Sequence, residues 1–253
     1  MPALARADLE TLLRARKLDR TLTTVLPLPS DTGPHDSLAV SATDVAPLDA
    51  RLGGGLPRGQ LSELVGPRSS GRTSLLLRML AAATARGELV ALIDVLDSFD
   101  VESAQAAGID LDRLLWIRGH VVMNPGFCRD LNQRALEQAV KALTLVLQAG
   151  NFGLVAFDAA DAPSDAIRRL PFTTWLRLQR MVEGSQTTCV LVGGERLARS
   201  SAGLTLQLGR DGSGIRFTGR LFDGLAVDAR VVRSRTRPQE QADVRVSLST
   251  TCA

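Results

Sequence analysis

Tyrosine is absent from this chain of 253 residues, and cysteine, histidine and lysine are scarce. The three cysteines, Cys128, Cys189 and Cys252, lie far apart, so the sequence predicts neither a disulfide framework nor a zinc site. The two histidines, His35 and His120, are too few and too isolated for a typical metal cluster or histidine relay. No run of 18 apolar residues occurs, which excludes a predicted transmembrane helix.

The rest of the composition is that of a globular protein with a full apolar core. Apolar residues make up 45% of the chain and charged residues 23%. The first 20 residues are charged throughout and lack the apolar region of a signal peptide, so the expected location is cytoplasmic, with no membrane partner. A net charge of only +3 means that any patch binding nucleic acid must arise from local clustering of basic residues.

The scarcity of lysine matters at one position. Of the 30 basic residues, 28 are arginine, and the only lysines are Lys17 and Lys141. A GC-rich genome explains such a bias on a protein surface. It does not explain an arginine at a site whose chemistry requires a lysine, and position 72 is such a site.

The pattern of apolar residues divides the chain into three parts. Residues 3–20 have leucines at helical spacing and a turn-rich stretch follows them, which predicts an N-terminal helix and linker over residues 1–37. Residues 38–237 alternate apolar strands with helices, which predicts an α/β core. Its central sheet is expected to be mostly parallel, with helices on both faces and a short antiparallel C-terminal extension. Residues 238–253 are polar and are predicted to form a poorly ordered tail.

Within the core, short apolar runs bounded by turn residues predict the strands, and longer amphipathic segments predict the helices. The predicted parallel strands are 60–65, 88–95, 114–117, 154–157 and 188–192, and the predicted antiparallel ones are 205–208, 215–219 and 229–233. The predicted helices are 73–86, 104–108, 129–149 and 175–183.

The segment GPRSSGRTS, residues 66–74, matches the phosphate-loop pattern G-x-x-x-x-G-K-[ST] at every fixed position except one. It follows a predicted strand and opens a helix, where backbone N–H groups and the helix dipole favour an anion. Arg72 stands in the lysine position; its guanidinium keeps the charge but is longer, planar and forked, so it suits phosphoryl transfer poorly. The candidate nucleotide contacts are Gly66, Ser69, Ser70, Gly71, Arg72, Thr73 and Ser74. The alternative is a loop kept for fold integrity alone.

A second motif is the apolar strand 154–157, which ends in Asp158. This pattern is typical of the aspartate that holds Mg²⁺ in proteins with a phosphate loop; the alternative is a strand-end cap, which buried strands ending in aspartate often have. Thr73 would supply a second oxygen to the metal. The two motifs therefore point to ATP or ADP with Mg²⁺ as the cofactor.

A wider stretch, residues 40–118, resembles the ATP-binding core of bacterial RecA. The resemblance is carried by GGGLPRG (53–59), the phosphate loop, the strand ending at Asp94 and IDLDRLL (109–115), and it extends weakly over residues 38–237. It implies a RecA-like P-loop fold. Leu96 stands where that family has its catalytic glutamate. The family also has a nucleotide-sensing glutamine on a later strand, where this chain has VGGER (192–196). The DNA-binding loop that follows is shortened to residues 194–203. The resemblance therefore supports the fold and argues against ATP hydrolysis.

A RecA-like chain of this size with a degraded active site is similar to the ImuA family, accessory proteins of SOS-induced translesion synthesis. The segments LGGGLPRGQLSELVGPRSSGRTSLL and ARVVRSR resemble that family. The family implies RecA and ImuB as partners, an error-prone DnaE-type polymerase reached through ImuB, and no catalytic residue. Two alternatives stay open. The first is an active DNA-dependent RecA-type ATPase with Asp94 or Asp97 as the base. The second is a SulA-like cell-division inhibitor, and the intact glycine frame is evidence against it.

Arginines near the C-terminus and in the shortened loop are candidate contacts with DNA phosphates or an acidic partner. The alternative is a solvated edge strand protected by its charges. No aromatic residue lies close by to stack on bases, so any binding of single-stranded DNA is predicted to be weak and sensitive to salt. The candidate residues are Arg196, Arg199, Arg230, Arg233, Arg235 and Arg237.

Overall fold

The computed structural model describes residues 39–120, 129–198, 201–209, 214–218, 221–234 and 243–249. All of them belong to one compact unit, Leu38–Ala253. The predicted N-terminal helix and linker lie outside the described residues, as do Arg199, Arg235 and Arg237. Among the helices that the structure describes, none is long and apolar enough to cross a membrane.

The predicted alternation of strands and helices is confirmed in this unit. The strands are β1 (Val40–Ser41), β2 (Leu56–Pro57), β3 (Leu61–Val65), β4 (Val90–Asp94), β5 (Leu114–Arg118), β6 (Leu154–Asp158), β7 (Thr188–Gly193), β8 (Leu204–Leu208), β9 (Gly214–Thr218), β10 (Leu221–Ser234) and β11 (Asp243–Ser249). The helices are α1 (Ala46–Leu52), α2 (Arg72–Ala85), α3 (Val101–Ala106), α4 (Arg129–Ala149), α5 (Ser164–Arg169) and α6 (Phe172–Val182).

Two helices begin three residues earlier than the sequence predicts, and local chemistry explains both. Helix α3 begins after Asp100, whose carboxylate accepts a hydrogen bond from the Ser103 amide at 2.9 Å and so caps the helix. Helix α6 follows Pro171, a residue that commonly precedes or opens a helix because it has no amide hydrogen to satisfy.

The main sheet has the strand order β11-β10-β8-β3-β7-β6-β4-β5, with β9 paired to β10. Strands β8, β3, β7, β6, β4 and β5 are parallel to one another. The antiparallel part consists of β10 with its neighbours β8, β9 and β11. The predicted fold class, a mostly parallel sheet with an antiparallel C-terminal extension, is confirmed.

Strand β8 corrects one detail of the prediction, since it was expected in the antiparallel extension. It runs parallel to β3, with Ser62 opposite Leu204 and Val65 opposite Gln207. Its alternation of leucine with polar residues suggests a strand that is exposed on one face. Thr205 is nevertheless buried, because its hydroxyl is satisfied inside the protein by a carboxylate of β3.

The polar tail corrects a second detail of the prediction. Strand β11 lies within residues 238–253, which were predicted to be poorly ordered, and pairs antiparallel with β10 so that Val227 stands opposite Val246. That prediction is wrong for Asp243–Ser249. The segment DVRVSLS alternates apolar and polar residues, which is the pattern of a strand, and the available edge of β10 gives it a partner.

Helices cover both faces of the sheet, as predicted, and produce two apolar cores. On β4, Leu92 belongs to the core that includes Met79 of α2, whereas its neighbour Ile93 belongs to the core that includes Leu143 of α4. Both faces of the central parallel strands are therefore buried. The carboxyl ends of these strands meet at one edge of the sheet, where the loops that follow β3, β4, β6 and β7 come together.

Candidate functional site

The loop between β3 and α2 keeps the glycine frame of the motif because the space around it admits no side chain. A Cβ atom on Gly66 would lie 2.6 Å from Ser70 Oγ and 2.7 Å from the Leu208 carbonyl oxygen. Gly71 has φ of 86°, in the left-handed region, and immediately precedes α2; Ser69 adopts a similar φ of 60°. The strand–loop–helix arrangement that the motif predicts is present.

The amino end of α2 has the properties of an anion site. The first N–H groups of a helix have no acceptor within it, and the helix dipole adds positive potential there. Thr73 and Ser74, in the first turn, are exposed. The hydroxyl of Ser70 is buried and has no hydrogen-bond partner among the described residues.

Arg72 lies in the position that the motif reserves for lysine, and its side chain is only 6% exposed. Its Nη1 donates to the Ala160 carbonyl oxygen at 3.2 Å, and its Nη2 lies 3.6 Å from Asp161 Oδ1. Both contacts are with the turn that follows β6. The arginine therefore links the loop after β3 to the carboxyl end of β6, two strands away in the sheet.

A second arginine of the loop contacts the same carboxylate. Nε of Arg68, an exposed residue, donates to Asp161 Oδ1 at 2.9 Å. The motif gives no sign of Arg68 or Asp161, because their contact joins two turns that are 93 residues apart in the chain. Sequence reasoning therefore missed both residues.

Asp158 ends β6 and lies beside this cluster. Its Oδ1 accepts a hydrogen bond from the Ala160 amide at 3.0 Å, which is the geometry of a strand-end cap. The pKa of its carboxyl is raised to about 6, mainly by burial and also by the nearby charges of Asp94 and Asp161, while the Ala160 hydrogen bond and the Arg72 charge oppose the rise. The fold thus brings together the phosphate loop and Asp158, as the two motifs predict.

The turn after β4 holds the two aspartates that were considered as bases. Asp94 is 1% exposed, and its Oδ2 accepts hydrogen bonds from the Phe99 amide at 2.8 Å and from Trp116 Nε1 at 3.3 Å. Asp97 accepts two hydrogen bonds from Arg118, both at 2.7 Å, which lower the pKa of its carboxyl. Both carboxylates are engaged within the protein.

Between these aspartates, Leu96 is partly buried and packs against the apolar core on the α4 side of the sheet. An apolar side chain has no group that accepts a proton from water. The turn after β4 therefore presents no carboxylate at position 96.

Comparison with known proteins agrees with this architecture. The family model described as the RecA N-terminal domain matches residues 21–162, more than half of the chain. This chain belongs to the RecA N-terminal domain family.

Its curated relatives include proteins named "Protein RecA". That of Clavibacter michiganensis subsp. michiganensis (strain NCPPB 382) is 38% identical over 126 residues, 49% of this chain and 31% of the relative. That of Desulfotalea psychrophila (strain LSv54 / DSM 12343) is 32% identical over 128 residues, 50% of this chain and 32% of the relative. That of Rhodococcus jostii (strain RHA1) is 36% identical over 131 residues, 51% of this chain and 34% of the relative. The matched segment thus spans about a third of the length of these relatives.

In this RecA-like chain, the loop between β7 and β8 is tied to β3 by a buried carboxylate. Glu63 is 1% exposed; its Oε1 accepts from the Ala198 amide at 2.6 Å and its Oε2 from Thr205 Oγ1 at 2.9 Å. Burial raises the pKa of this carboxyl. A single acidic residue inside the apolar run LSELV was the available signal for a buried, satisfied polar group.

The candidate arginines outside the phosphate loop lie in two places. Arg196 is exposed, in the loop after β7, and its charge opposes in small part the rise that burial causes in the pKa of Glu63. Arg230 and Arg233 lie on β10, opposite Gln207 and Thr205, with an irregularity in register between Val231 and Arg233. Cross-strand partners share a face, so this bulge puts both arginines on the Thr205 face of the sheet.

Strand β10 lies between β8 and β11, and Arg230 is paired on both sides, with Gln207 of β8 and Asp243 of β11, whereas Arg233 is paired with Thr205 of β8. Strand β8 also separates β10 from β3, the strand that leads into the phosphate loop. Arg230 and Arg233 are therefore two strands away from β3 in the sheet, and Arg230 stands opposite Gln207, which in turn stands opposite Val65.

Metal ligands are few in the part of the chain that the structure describes. There, no group of three or more histidine, cysteine, aspartate or glutamate side chains is arranged to hold a metal ion. Mg²⁺ is commonly bound through one or two protein oxygens together with nucleotide phosphates, and the oxygens at hand are those of Thr73 and Asp158.

Proposed function

We propose that this RecA-like chain is a catalytically degraded accessory protein of SOS-induced translesion synthesis, of the ImuA type. It acts as an adaptor that binds RecA and ImuB, reaches an error-prone DnaE-type polymerase through ImuB, and limits the activity of RecA filaments. The single observation that carries the proposal is the position of Arg72, whose guanidinium is buried against Ala160 and Asp161.

The absence of efficient hydrolysis is supported by three features of one sheet edge. Arg72, at the lysine position of the phosphate loop, makes its contacts with the protein itself. Leu96 has no group to orient or deprotonate a water molecule. Asp94 and Asp97, the possible substitutes, are held by the Phe99 amide and by Arg118.

Binding of ATP or ADP with Mg²⁺ remains part of the proposal, because the backbone frame of the loop is intact. The amides at the start of α2 and the buried Ser70 hydroxyl would contact phosphate oxygens. Thr73 and Asp158 would hold the metal ion, which neutralises phosphate charge when it is bound. Nucleotide would then stabilise the protein without being turned over.

The adaptor role follows from a RecA-like core that keeps its sheet and cannot use it for catalysis. A chain that resembles a RecA subunit on one face would occupy the end of a RecA filament and prevent the next subunit from adding. Residues 1–37 and the arginines Arg196, Arg199, Arg230, Arg233, Arg235 and Arg237 are the proposed contacts with partners or, weakly, with single-stranded DNA.

The test combines phosphate release with RecA strand exchange. We expect no turnover of ATP with or without single-stranded DNA, and shorter RecA filaments at an equimolar ratio. Arg72→Ala should leave both results unchanged. Arg78→Ala, on the same helix and 3.5 Å from Asp44, is the matched control that removes an arginine away from the loop. Turnover that Arg72→Ala abolishes and Arg78→Ala preserves would disprove the proposal.

Such turnover would instead establish the second candidate, an active RecA-type DNA-dependent ATPase. Membership of the RecA N-terminal domain family favours it. Pull-down against purified RecA and ImuB separates the two candidates further, because only the adaptor requires both complexes.

A further inference from the structure

The turn after β6 places a carboxylate against both arginines of the phosphate loop. The same oxygen, Asp161 Oδ1, lies 2.9 Å from Arg68 Nε and 3.6 Å from Arg72 Nη2. The carbonyl oxygen of Ala160, the preceding residue, takes the remaining contact with Arg72 at 3.2 Å. The two guanidinium groups of the loop are thus bound to one short stretch of the chain.

The turn that presents Asp161 is itself held in place. The Ala159 amide donates to the Val192 carbonyl oxygen at 3.0 Å, the Ala160 amide donates to the Asp158 carboxylate at 3.0 Å, and the Ala162 amide donates to the Ala159 carbonyl oxygen at 3.1 Å. These bonds tie the turn to β6 and β7. The position of Asp161 is therefore set by the sheet, and a ligand must compete with it.

We propose that Asp161 is an internal counter-anion of the phosphate loop. It occupies Arg68 and Arg72 in the free protein and sets the affinity of the loop for polyphosphate ligands, which reach the arginines only by displacing the carboxylate. The proposal rests on the phosphate binding included in the proposed function. Asp161 already neutralises part of the guanidinium charge, and a phosphate oxygen that binds Arg68 Nε or Arg72 Nη2 would have to replace the carboxylate there.

The Ser70 hydroxyl gives a second indication that the loop receives a ligand. It is buried beside Gly66 and has no hydrogen-bond partner within the described part of the chain. A buried hydroxyl without a partner is costly, and a phosphate oxygen would satisfy it. Asp161 can neutralise the arginines but does not satisfy this hydroxyl. An external anion that reached it would make one hydrogen bond that the carboxylate does not make.

The experiment measures binding of Mg²⁺–ADP and of inorganic pyrophosphate to the full chain by titration calorimetry. Asp161→Asn removes the charge and should tighten both ligands about tenfold, or about 1.4 kcal/mol. Asp165→Asn is the matched control: it makes the same change of charge on α5, beside Arg169 at 3.9 Å, and should leave both affinities unchanged. Adding Arg72→Ala to Asp161→Asn should cancel the gain.

The outcomes separate this inference from the proposed function. Equal affinities in the wild type and in Asp161→Asn, or weaker binding in the variant, would overturn the role of Asp161. An equal gain in Asp165→Asn would overturn it as well, because net charge alone would explain the effect. If no variant binds either ligand, the counter-anion has no competitor and the inference fails. The adaptor role is decided independently, by pull-down of the complexes with RecA and ImuB.

Discussion

The phosphate loop and the turn after β4 lie at the same edge of the sheet, yet they differ in different ways from the pattern that the resemblance to RecA predicts. The phosphate loop keeps a backbone that only glycine permits and changes one side chain, Arg72. The turn after β4 has its carboxylates bound internally and carries Leu96 between them. A backbone that cradles an anion can therefore be kept where a side chain of the pattern differs, since the two depend on different atoms.

The largest expected effect tests the turn after β4. Asp94→Ala leaves the Phe99 amide and the Trp116 indole without their acceptor in a buried place, and we expect a loss of about 4 kcal/mol in the free energy of unfolding. Asp97→Ala, which breaks an exposed pair with Arg118, should cost much less. Urea unfolding of both variants measures the difference. A larger loss in Asp97→Ala would show that Asp94 is not the structural residue of the pair.

A smaller effect tests the frame of the phosphate loop. Gly66→Ala puts a Cβ atom 2.6 Å from Ser70 Oγ and 2.7 Å from the Leu208 carbonyl oxygen, and this overpacking should cost about 3 kcal/mol. In Gly194→Ala the new atom meets nothing closer than the Ala160 carbonyl oxygen at 3.4 Å, so this control should cost less than about 1 kcal/mol. Thermal and urea unfolding give both values. Similar losses in the two variants would mean that close packing does not explain the glycine at position 66.

The smallest effect concerns Asp158, which lies between the two regions. Its folded-state pKa, about 6, is above the ordinary value, so the folded protein holds the proton more tightly and the wild type loses stability as the pH rises from about 4 to 6. Asp158→Asn keeps an acceptor for the Ala160 amide and removes the charge. The variant should therefore be more stable than the wild type by about 2 to 3 kcal/mol at pH 7, with the difference vanishing below about pH 4. Unfolding measured from pH 4 to 8 without metal or nucleotide checks this, and a difference independent of pH would contradict it.

Much of the fold was predictable because its signals are local. Buried parallel strands are apolar on both faces, so segments such as 154–157 and 188–192 are recognisable without knowledge of their neighbours. Strand β8 was less predictable: its polar residue Thr205 suggested an exposed face, and only the contact with Glu63 explains its burial. Strand β11 depends in the same way on an available edge of β10.

The candidate site likewise has features with a local sequence signal and features that depend on contacts between distant parts of the chain. Gly66, Gly71 and Asp158 were predictable, because a phosphate loop and a strand-end carboxylate each occupy a few consecutive residues. The contacts of Arg72 were not, since Ala160 and Asp161 are almost 90 residues away in the chain. The pairing of Arg68 with Asp161 has no motif at all.

The amino-acid sequence by itself determined the fold class, the glycine frame of the loop, and the presence of Arg72 and Leu96 at the two positions where the resemblance to RecA predicts a lysine and a glutamate. These are properties of residue type and short spacing, which do not depend on the rest of the chain. Only the tertiary structure decided what Arg72 contacts, that Asp94 and Asp97 are already engaged, and that Asp161 faces the phosphate loop. Those facts depend on how strands distant in sequence align at one edge of the sheet, because charged side chains bind whatever partner the fold brings within about 3 Å.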